Sequence, residues 1–267
     1  MSSVVLDEVE SLSYPVESAY QPEAQEVPAD AEPEYLVAAT RRDREAAFRL
    51  VYQSYVRAGL QRPNRYRMRV TPYHLLPSTP MFIAKVRGEV VSTVSLVIDG
   101  DLGVPMELTF PEVIEQRRRD GILFGEVSCL ADRRTDFRRY LPTFCQLTRL
   151  MAQYARRQGV QQLLVAAHPR HARFYRRYLG FEAVSDVSTC PHVCDRPAVA
   201  LCLDFDHAQA TGNPKYDQFF GRALPAQSLR PQPLSLSEEL YLADLIDASF
   251  EHAAGYEAHS RDLLYAG

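Results

Sequence analysis

The sequence predicts an α/β fold, in which a mixed central sheet carries helices on both faces. Two observations predict it. Between residues 34 and 206, apolar segments of strand length alternate with segments of helical periodicity, in the order strand, helix, hairpin, helix, strand, helix, strand, helix, strand. Such alternation is typical of layered α/β domains. Residues 122–168 contain a strand–helix–strand unit, which predicts a parallel strand pair joined by a right-handed crossover.

The first strand and the first helix follow from local patterns. EYLVAA, residues 34–39, has the composition of a short strand, and Thr40 follows it as a helix N-cap with Asp43 three positions later. This pair has the pattern of a capping box. Apolar residues then recur at helical spacing as far as Val56, and the helix is expected to end near Gly59.

The rest of the region predicts a hairpin, further helices and the central strands. MFIAKV and EVVSTVSLVID flank Arg87-Gly88, a pair that suits the tight turn of a β-hairpin. Pro111 begins a short helix that ends at Gly121. An amphipathic helix, YLPTFCQLTRLMAQYARRQG, turns its apolar side toward the core. The remaining elements predicted are the strands ILFGEVSCLA, VQQLLVAAH and PAVALCLDF and the helix RHARFYRRYLG.

The N-terminal segment, residues 1–33, is expected to be a disordered acidic leader. Up to residue 34 the chain holds nine acidic residues, four prolines and no Lys or Arg, which leaves 25 acidic and 30 basic residues for the rest. A segment of this composition buries too little apolar surface to fold. The excess of arginine in the folded region favours an anionic partner.

The C-terminal residues, 207–267, are expected to form an extension with a helix near 237–253. Its apolar stripe of Leu240, Leu245 and Ile246 predicts docking in cis on the domain. No apolar run has the length of a transmembrane segment, and the N-terminus lacks the basic and apolar regions of an export signal. Five scattered cysteines suit a reducing compartment, so a cytoplasmic protein is expected.

Several motifs together resemble one enzyme family. FYRRYLGF is similar to the end of the last helix in the GNAT superfamily of N-acyltransferases, and this resemblance covers residues 34–205. GEVSCLADRRTDFR, the segment KVRGEVVSTVSLVIDGDLGVPME before it and LLVAAHPRHARFYRRYLGF after it resemble the long-chain N-acyl amino acid synthases. These are similar in turn to acyl-homoserine lactone synthases. The resemblance implies transfer of a medium or long fatty acyl chain from a thioester on acyl carrier protein to the α-amine of an amino acid.

The resemblance also implies catalytic residues. Glu126 is expected to be the general base that removes a proton from the attacking amine, because a buried carboxyl can have a pKa suited to this role. Tyr175 is expected to protonate the departing thiolate. Ser128 could assist through its hydroxyl, His168 could relay protons or bind substrate, and backbone amides from Ser128 to Leu130 could stabilise the oxyanion.

The donor site is expected to be rich in arginine. Enzymes that use coenzyme A hold its pyrophosphate in a glycine-bearing loop, but the segment ADRRTDFRRYLP has no glycine. Arginine side chains could bind the single phosphate of a phosphopantetheine arm, so no tightly bound cofactor and no metal is expected. Arg173, Arg176 and Arg177 could receive an acidic carrier protein. The residues predicted to bind the donor are Leu130, Arg133, Arg134, Arg138 and Arg139.

The acceptor's carboxylate requires a cation, which Arg65, Arg67 or Arg69 in the long connection could supply. Alternatives within enzymes are an acyl-homoserine lactone synthase or an acyltransferase that uses coenzyme A thioesters. From another class, the chain could be a non-catalytic module that binds acyl carrier protein. The acidic net charge and the lack of a known reader motif argue against nucleic-acid binding.

Cysteine and histidine residues suggest two other kinds of site. Cys129 with His168 could suggest a covalent acyl-cysteine enzyme, but strand alternation would place Cys129 on the face opposite Glu126. Alternation would also put Glu126, Ser128 and Leu130 on one face. Cys190, His192 and Cys194 are too few for a structural zinc site, so this segment is interpreted as a loop.

Overall fold

The computed structural model describes residues 32–134, 137–246 and 250, and within this part it leaves the side chains of residues 137–139 undescribed. Almost all of the predicted acidic leader therefore lies outside the described residues. The side chains of Arg138 and Arg139 do so as well.

The sheet is mixed and has seven strands in the order β1-β2-β3-β4-β5-β7-β6. Every neighbouring pair is antiparallel except β4 and β5, which are parallel and are joined by a long helix, as the strand–helix–strand pattern predicts. The strands are β1 (Glu34–Val37), β2 (Met81–Val86), β3 (Glu89–Ile98), β4 (Phe124–Asp132), β5 (Gln162–Ala167), β6 (Glu182–Cys190) and β7 (Arg196–Asp204).

Helices cover both faces of this sheet. The α-helices are α1 (Arg41–Arg57), α2 (Pro111–Arg119), α3 (Phe137–Arg157), α4 (Pro169–Phe174), α5 (Phe205–Ala210), α6 (Tyr216–Phe220) and α7 (Leu236–Ala243). A π-helical turn, Tyr175–Leu179, continues α4. The short 3₁₀ turns are Pro72–Leu75, Pro105–Leu108, Pro191–Val193 and Ala226–Leu229.

Local sequence signals explain several element ends. Thr40 caps α1 by accepting a hydrogen bond from the Asp43 N–H at 3.2 Å, while the Asp43 carboxylate accepts one from Lys85 at 2.8 Å. Arg87 and Gly88 both have left-handed φ values, of 52° and 81°, as a two-residue hairpin turn requires. The predicted hairpin and the first helix cap are therefore confirmed.

The core lies on both faces of the sheet. On one face, α3 and the π-helical turn pack against the sheet, and Leu163 and Val165 of β5 point toward them. We call this cluster the α3 layer; its buried residues include Phe144, Leu147, Leu150, Leu163 and Val165. Two clusters lie on the other face, where Leu164 points. The α1 cluster includes Phe48, Val51, Ile83, Cys129 and Ala131, and the Met106 cluster includes Tyr73, Val97, Met106, Phe124 and Leu164.

Strand β6 was not predicted from the sequence, which assigned no element to residues 182–189 and predicted a loop from Cys190 to Cys194. β6 lies at the edge of the sheet and pairs only with β7, with an irregular register between Ala183 and Val187. Most of its residues are exposed or half-buried. An edge strand needs neither strong alternation nor apolar composition, so its sequence carries a weak strand signal.

The C-terminal extension packs on the domain. Ser235 begins α7 with a capping box, and Arg44 of α1 donates a hydrogen bond to Glu238 at 2.7 Å. The predicted apolar stripe is partly wrong, because Leu240 is 46% exposed whereas Leu242 and Leu245 are buried in the α1 cluster. Within the described residues, no helix has the length and apolar character to cross a membrane.

Candidate active site

Glu126 is a buried carboxyl in the middle of the sheet. It lies two residues after Phe124 on β4, on the face of the Met106 cluster, and is 5% exposed. Its Oε2 accepts a hydrogen bond from the Met106 N–H at 2.6 Å. In the part of the chain that the structure describes, no cation pairs with it. Burial raises the pKa of Glu126 to about 8, and the Met106 hydrogen bond opposes this shift because it stabilises the ionised form.

The ionisable groups near Glu126 are themselves neutral at physiological pH. Tyr73, Cys129 and Cys190 are each close enough to interact electrostatically with its carboxylate. Burial raises the pKa of all three, so the phenol and both thiols keep their protons. Glu126 is therefore the group of this site that can change its charge near neutral pH.

A β-bulge changes the direction of the side chains after Ser128. Thr93 pairs with Ala131 and Ser95 with Ser128, so two residues of β4 oppose one of β3, and Cys129 has a φ of 52°. Cys129 consequently joins the α1 cluster, and Leu130 packs against the α3 layer. The predicted alternation is wrong here: Leu130 does not share a face with Glu126, and Cys129 does not oppose it.

Because of the bulge, Cys129 no longer lies on the face opposite Glu126, so that argument against Cys129 as a nucleophile fails. Its burial gives a different argument against this role. Cys129 is buried, and burial raises the pKa of its thiol. A nucleophilic cysteine needs a lowered pKa and access to substrate. The environment of Cys129 is the opposite of the one that covalent catalysis requires.

Strands β4 and β5 separate just beyond Glu126. They pair from Phe124–Gln162 to Glu126–Leu164, and no pair follows, although β4 continues to Asp132. The β5-facing edge of β4 after Glu126 is therefore outside the parallel ladder. This separation leaves room for the amide donors that the sequence analysis expected from Ser128 to Leu130, whose role stays a prediction.

Tyr175 lies on the other face of the sheet from Glu126. It is the first residue of the π-helical turn and packs against the α3 layer, with its ring centroid 5.9 Å from Phe174 and 5.5 Å from Phe181. Tyr140 of α3 is close enough for its phenol to interact electrostatically with that of Tyr175. We refer to the place where the β4–β5 ladder ends, next to Glu126, as the gap between β4 and β5.

His168 and Ser128, the other predicted catalytic residues, have local partners. His168 is the N-cap of α4, and its Nδ1 accepts a hydrogen bond from the Arg170 N–H at 3.2 Å. Burial, with the positive charges of Arg170 and Arg196, lowers the pKa of His168. The Ser128 hydroxyl lies 3.7 Å from the Cys129 thiol.

The arginines after β4 are held by the protein. Arg133 donates to the carbonyl of Val90 at 3.0 Å. Arg134 forms a bidentate pair with Asp132, at 2.8 and 2.7 Å. Both directly follow β4, and the Arg134 guanidinium already has a carboxylate partner. The donor-binding role of these arginines stays a prediction.

A second group of arginines surrounds a cavity at the end of the π-helical turn. This cavity has a volume of about 440 Å³. Its lining includes Arg173, Arg176, Arg177, Gly180 and Phe181.

The three arginines proposed for the acceptor lie in different environments. Arg65 and Arg67 are exposed, whereas Arg69 is 3% exposed. Arg69 donates to Gln61 Oε1 at 3.2 Å and to the His192 carbonyl at 2.9 Å. Its Nε is buried and has no hydrogen-bond partner among the described residues.

His74 is a buried polar residue that the sequence analysis missed. Its Nδ1 accepts a hydrogen bond from the Thr71 N–H at 3.1 Å, so in the neutral ring the proton is on Nε2. Nε2 therefore donates to Ser95 Oγ, also at 3.1 Å. Burial and the nearby charge of Arg69 lower the pKa of His74 to about 3. Thr71 is three residues away, but Ser95 lies 21 residues away on β3, so the sequence pattern does not show that the His74 ring is buried between them.

In the segment from Cys190 to Cys194, Cys190 and His192 pack in the protein interior. Cys190 is buried, Cys194 is exposed, and the His192 ring stacks on Phe250 with centroids 4.4 Å apart. Within the described residues, His, Cys, Asp and Glu side chains form no cluster of three or more that could hold a metal ion.

Comparison with known proteins identifies a family. A family model described as N-acyl amino acid synthase FeeM matches residues 46–204. A search of curated proteins finds no match.

Solved structures share the fold. The structure is similar to FeeM, an N-acyl amino acid synthase from uncultured soil microbes, at 21% identity and a TM-score of 0.58, over 74% of this chain and 97% of that chain. It is also similar to LasI, an AHL synthase, at 15% identity and a TM-score of 0.55, over 73% of this chain and 98% of that chain. The predicted GNAT-like mixed sheet is thereby confirmed.

Proposed function

Because the chain belongs to the N-acyl amino acid synthase FeeM family and is an acyltransferase, we propose that it acylates the α-amine of an amino acid with a medium or long fatty acyl chain. The proposed donor is the phosphopantetheine thioester of acyl carrier protein. The products are an N-acyl amino acid and the free carrier protein. Coenzyme A as donor and a homoserine lactone as product are the alternatives.

The observation that carries this proposal is the environment of Glu126. An amine must lose a proton to form an amide, and the best base for this transfer has a pKa near the working pH. The buried Glu126 carboxyl has a raised pKa, a single fixed donor on Oε2 and no cation among the described residues to hold it ionised. It is therefore suited to accept a proton from the amine.

The reaction then proceeds by addition and elimination. The amine nitrogen bonds to the thioester carbon while Glu126 takes its proton, and the oxygen gains the electron pair of the carbonyl. Amides of β4 beyond Glu126, on the edge where β5 has separated, stabilise this oxyanion. The C–S bond breaks as the C=O bond re-forms, and Tyr175 supplies the proton for the thiolate.

The opposed positions of Glu126 and Tyr175 support this division of roles. Glu126 lies with the Met106 cluster and Tyr175 with the α3 layer. A thioester placed at the gap between β4 and β5 would present its carbon to one face and its sulfur to the other. We assign the amine to the face of Glu126 and the thiol to the face of Tyr175.

The arginines are assigned to the two charged parts of the substrates. Arg133 and the arginines around the 440 Å³ cavity, which include Arg173 and Arg176, are proposed to receive the phosphate and the acidic surface of the carrier protein. Arg69 is proposed to bind the acceptor's carboxylate. It lies beside Cys129, on the face of Glu126, and one of its nitrogens lacks a partner among the described residues.

Mass spectrometry of lipids from cells that express the chain tests the reaction. N-acyl amino acids should accumulate with the wild-type chain and be absent with Glu126→Gln. Purified enzyme given acyl carrier protein and coenzyme A thioesters separately then identifies the donor. Acyl-homoserine lactones in the extract, or no acylated product, would contradict the proposed reaction.

Steady-state kinetics with Arg69→Ala tests the acceptor site. We expect the KM for the amino acid to rise at least about tenfold, because a charge-assisted pair is lost. Arg65→Ala is the control, since Arg65 is exposed, and it should leave the KM unchanged. Arg69→Lys, which keeps the charge, guards against loss of folding. A wild-type KM in a folded Arg69 variant would refute the assignment.

A further inference from the structure

Arg118 of α2 binds two carboxylates at once. It donates to Asp99 through Nε at 3.0 Å and Nη2 at 2.7 Å, and to Glu107 through Nη1 at 2.6 Å and Nη2 at 2.7 Å. Asp99 directly follows β3, and Glu107 belongs to the 3₁₀ turn Pro105–Leu108. We refer to Asp99, Glu107 and Arg118 as the Arg118 clamp. It joins the end of β3, the 3₁₀ turn and α2 through one guanidinium.

Gly103 lies beside the Arg118 clamp and has a left-handed backbone conformation. Gly103 has a φ of 65°, and a Cβ at this position would overlap the Glu107 carboxylate and come within 2.9 Å of the Arg118 guanidinium. A side chain at Gly103 would strain the backbone and would have to displace the ends of the Glu107 and Arg118 side chains. The ion pair lies directly against the chain that leads into the turn.

The residue next to Glu107 is the one that contacts Glu126. Met106 is buried, and its N–H donates the 2.6 Å hydrogen bond to Glu126 Oε2. The N–H of Glu107 in turn donates to the Val104 carbonyl at 3.1 Å, which closes the turn. Two adjacent residues thus connect the surface ion pair to the buried carboxyl.

We infer that Arg118 is a positioning residue: its pairs with Asp99 and Glu107 hold the 3₁₀ turn over β4 and so keep the Met106 N–H on the Glu126 carboxylate. The inference rests on the proposed function, in which Glu126 is the general base. Arg118 touches neither substrate nor the reacting atoms in this scheme, and it acts only through the turn.

The inference predicts a shift in the pH dependence of catalysis. A hydrogen bond from a backbone N–H favours the ionised carboxylate, so a loosened turn makes Glu126 harder to deprotonate. The groups that face Glu126 from neighbouring segments are Tyr73, Cys129 and Cys190. Their pKa values are raised, so they stay neutral where Glu126 titrates. A shift in this range therefore reports on Glu126.

The test is the pH profile of kcat/KM for Arg118→Gln, with the same donor and amino acid throughout so that substrate titration is constant. We expect the acidic limb to move up by about one pH unit and kcat/KM at pH 7 to fall about tenfold, with partial recovery above pH 9. Arg119→Gln is the matched control. Arg119 is the next residue of α2, its side chain is 62% exposed, and it pairs with Glu115 at 3.6 Å. This variant should stay within about twofold of wild type at every pH.

A conservative variant separates positioning from folding. Arg118→Lys keeps one ion pair and should lie between wild type and Arg118→Gln in the position of the limb. If Arg118→Gln is unfolded, the Lys variant carries the test. A loss of kcat/KM that is equal at all pH values, or an unmoved limb, would overturn the inference.

Failure of this inference is distinguishable from failure of the proposed function. If Glu126→Gln is inactive while Arg118→Gln has the wild-type pH profile, Glu126 is the base and Arg118 does not position it. If Glu126→Gln keeps full activity, the assignment of the base fails, and the inference about Arg118 fails with it.

Discussion

The two carboxylates of β4 show what the fold does to identical chemistry. Glu126 and Asp132 are six residues apart on one strand, and both side chains are largely buried. Asp132 accepts three hydrogen bonds from Arg134, two from its guanidinium and one from its backbone N–H. Glu126 accepts one, from Met106, and has no cation beside it among the described residues. Asp132 has a guanidinium partner, whereas Glu126, whose pKa is raised by burial, has none among the described residues.

The comparison teaches that burial alone does not make a catalytic carboxyl. Burial disfavours the charged form, and a nearby guanidinium compensates for that cost. The compensation is present at Asp132 and missing at Glu126. The acid that the structure leaves without a cation is the one suited to exchange protons with a substrate.

Replacing each acid by its amide should give the largest contrast in turnover. Glu126→Gln is expected to lower kcat by about 10²–10⁴, because the general base is lost while the shape is kept. Asp132→Asn should lower kcat by less than about tenfold. Single-turnover assays with saturating donor would measure both. Equal losses in the two variants would remove the distinction between these carboxyls.

The pH dependence of stability should differ in sign between Glu126 and a typical paired acid. The folded-state pKa of about 8 exceeds the ordinary value of 4.5, so the folded state binds the extra proton between these limits. The free energy of unfolding should therefore fall as pH rises from 4.5 to 8, by a few kcal/mol. Glu126→Gln cannot ionise and should become the more stable protein above pH 8.

Urea unfolding of wild type and Glu126→Gln at pH 5, 7 and 9 measures this difference. His74 and His192, with lowered pKa values of about 3 and 4, weaken the fold as pH falls below 6.5, but they do so in both proteins. They cancel in the comparison. If the difference in the free energy of unfolding between the two proteins is constant over this pH range, the pKa of Glu126 is not raised by burial.

Breaking the Asp132–Arg134 pair at the other end of β4 should lower stability at pH 7. Asp132→Asn weakens two hydrogen bonds from the Arg134 guanidinium, and we expect the free energy of unfolding to drop by about 1–3 kcal/mol. Thermal unfolding at pH 7 would measure it. The exposed pair of Arg119 with Glu115 is the control, and Glu115→Gln should cost less than about 1 kcal/mol.

The smallest effect is expected at Tyr175. Tyr175→Phe keeps the ring contacts with Phe174 and Phe181 and removes only the hydroxyl. Because a thiolate already leaves well, kcat should fall by less than about tenfold, chiefly at high pH where solvent protons are scarce. Stopped-flow measurement of thiol release would show it. A loss as large as that of Glu126→Gln would make proton donation to sulfur the difficult step.

Much of the fold follows from sequence because its signals are local. The Arg87-Gly88 turn, the Thr40 cap and the apolar side of α3 depend on residues within a few positions of one another. Strand β6 escaped this reasoning because an edge strand packs on one neighbour only. Cys129 and Leu130 were placed on the wrong faces because alternation assumes an unbroken ladder, and β4 carries a bulge.

The same distinction between local and tertiary signals applies to the candidate active site. The sequence by itself determined the order of the main elements other than β6, the family resemblance and the position of Glu126 on a central strand, since each is written in periodicity or in motifs. Only the tertiary structure decided that Met106 meets Glu126, that Arg69 is buried and that Arg134 is occupied by Asp132. The physical reason is that desolvation and charge pairing depend on distance in space. Met106 and Glu126 are 20 residues apart and Arg69 and His192 are 123 apart, so no local pattern records these contacts. Asp132 and Arg134 are only two residues apart, but the tertiary structure decides that their side chains pair with each other.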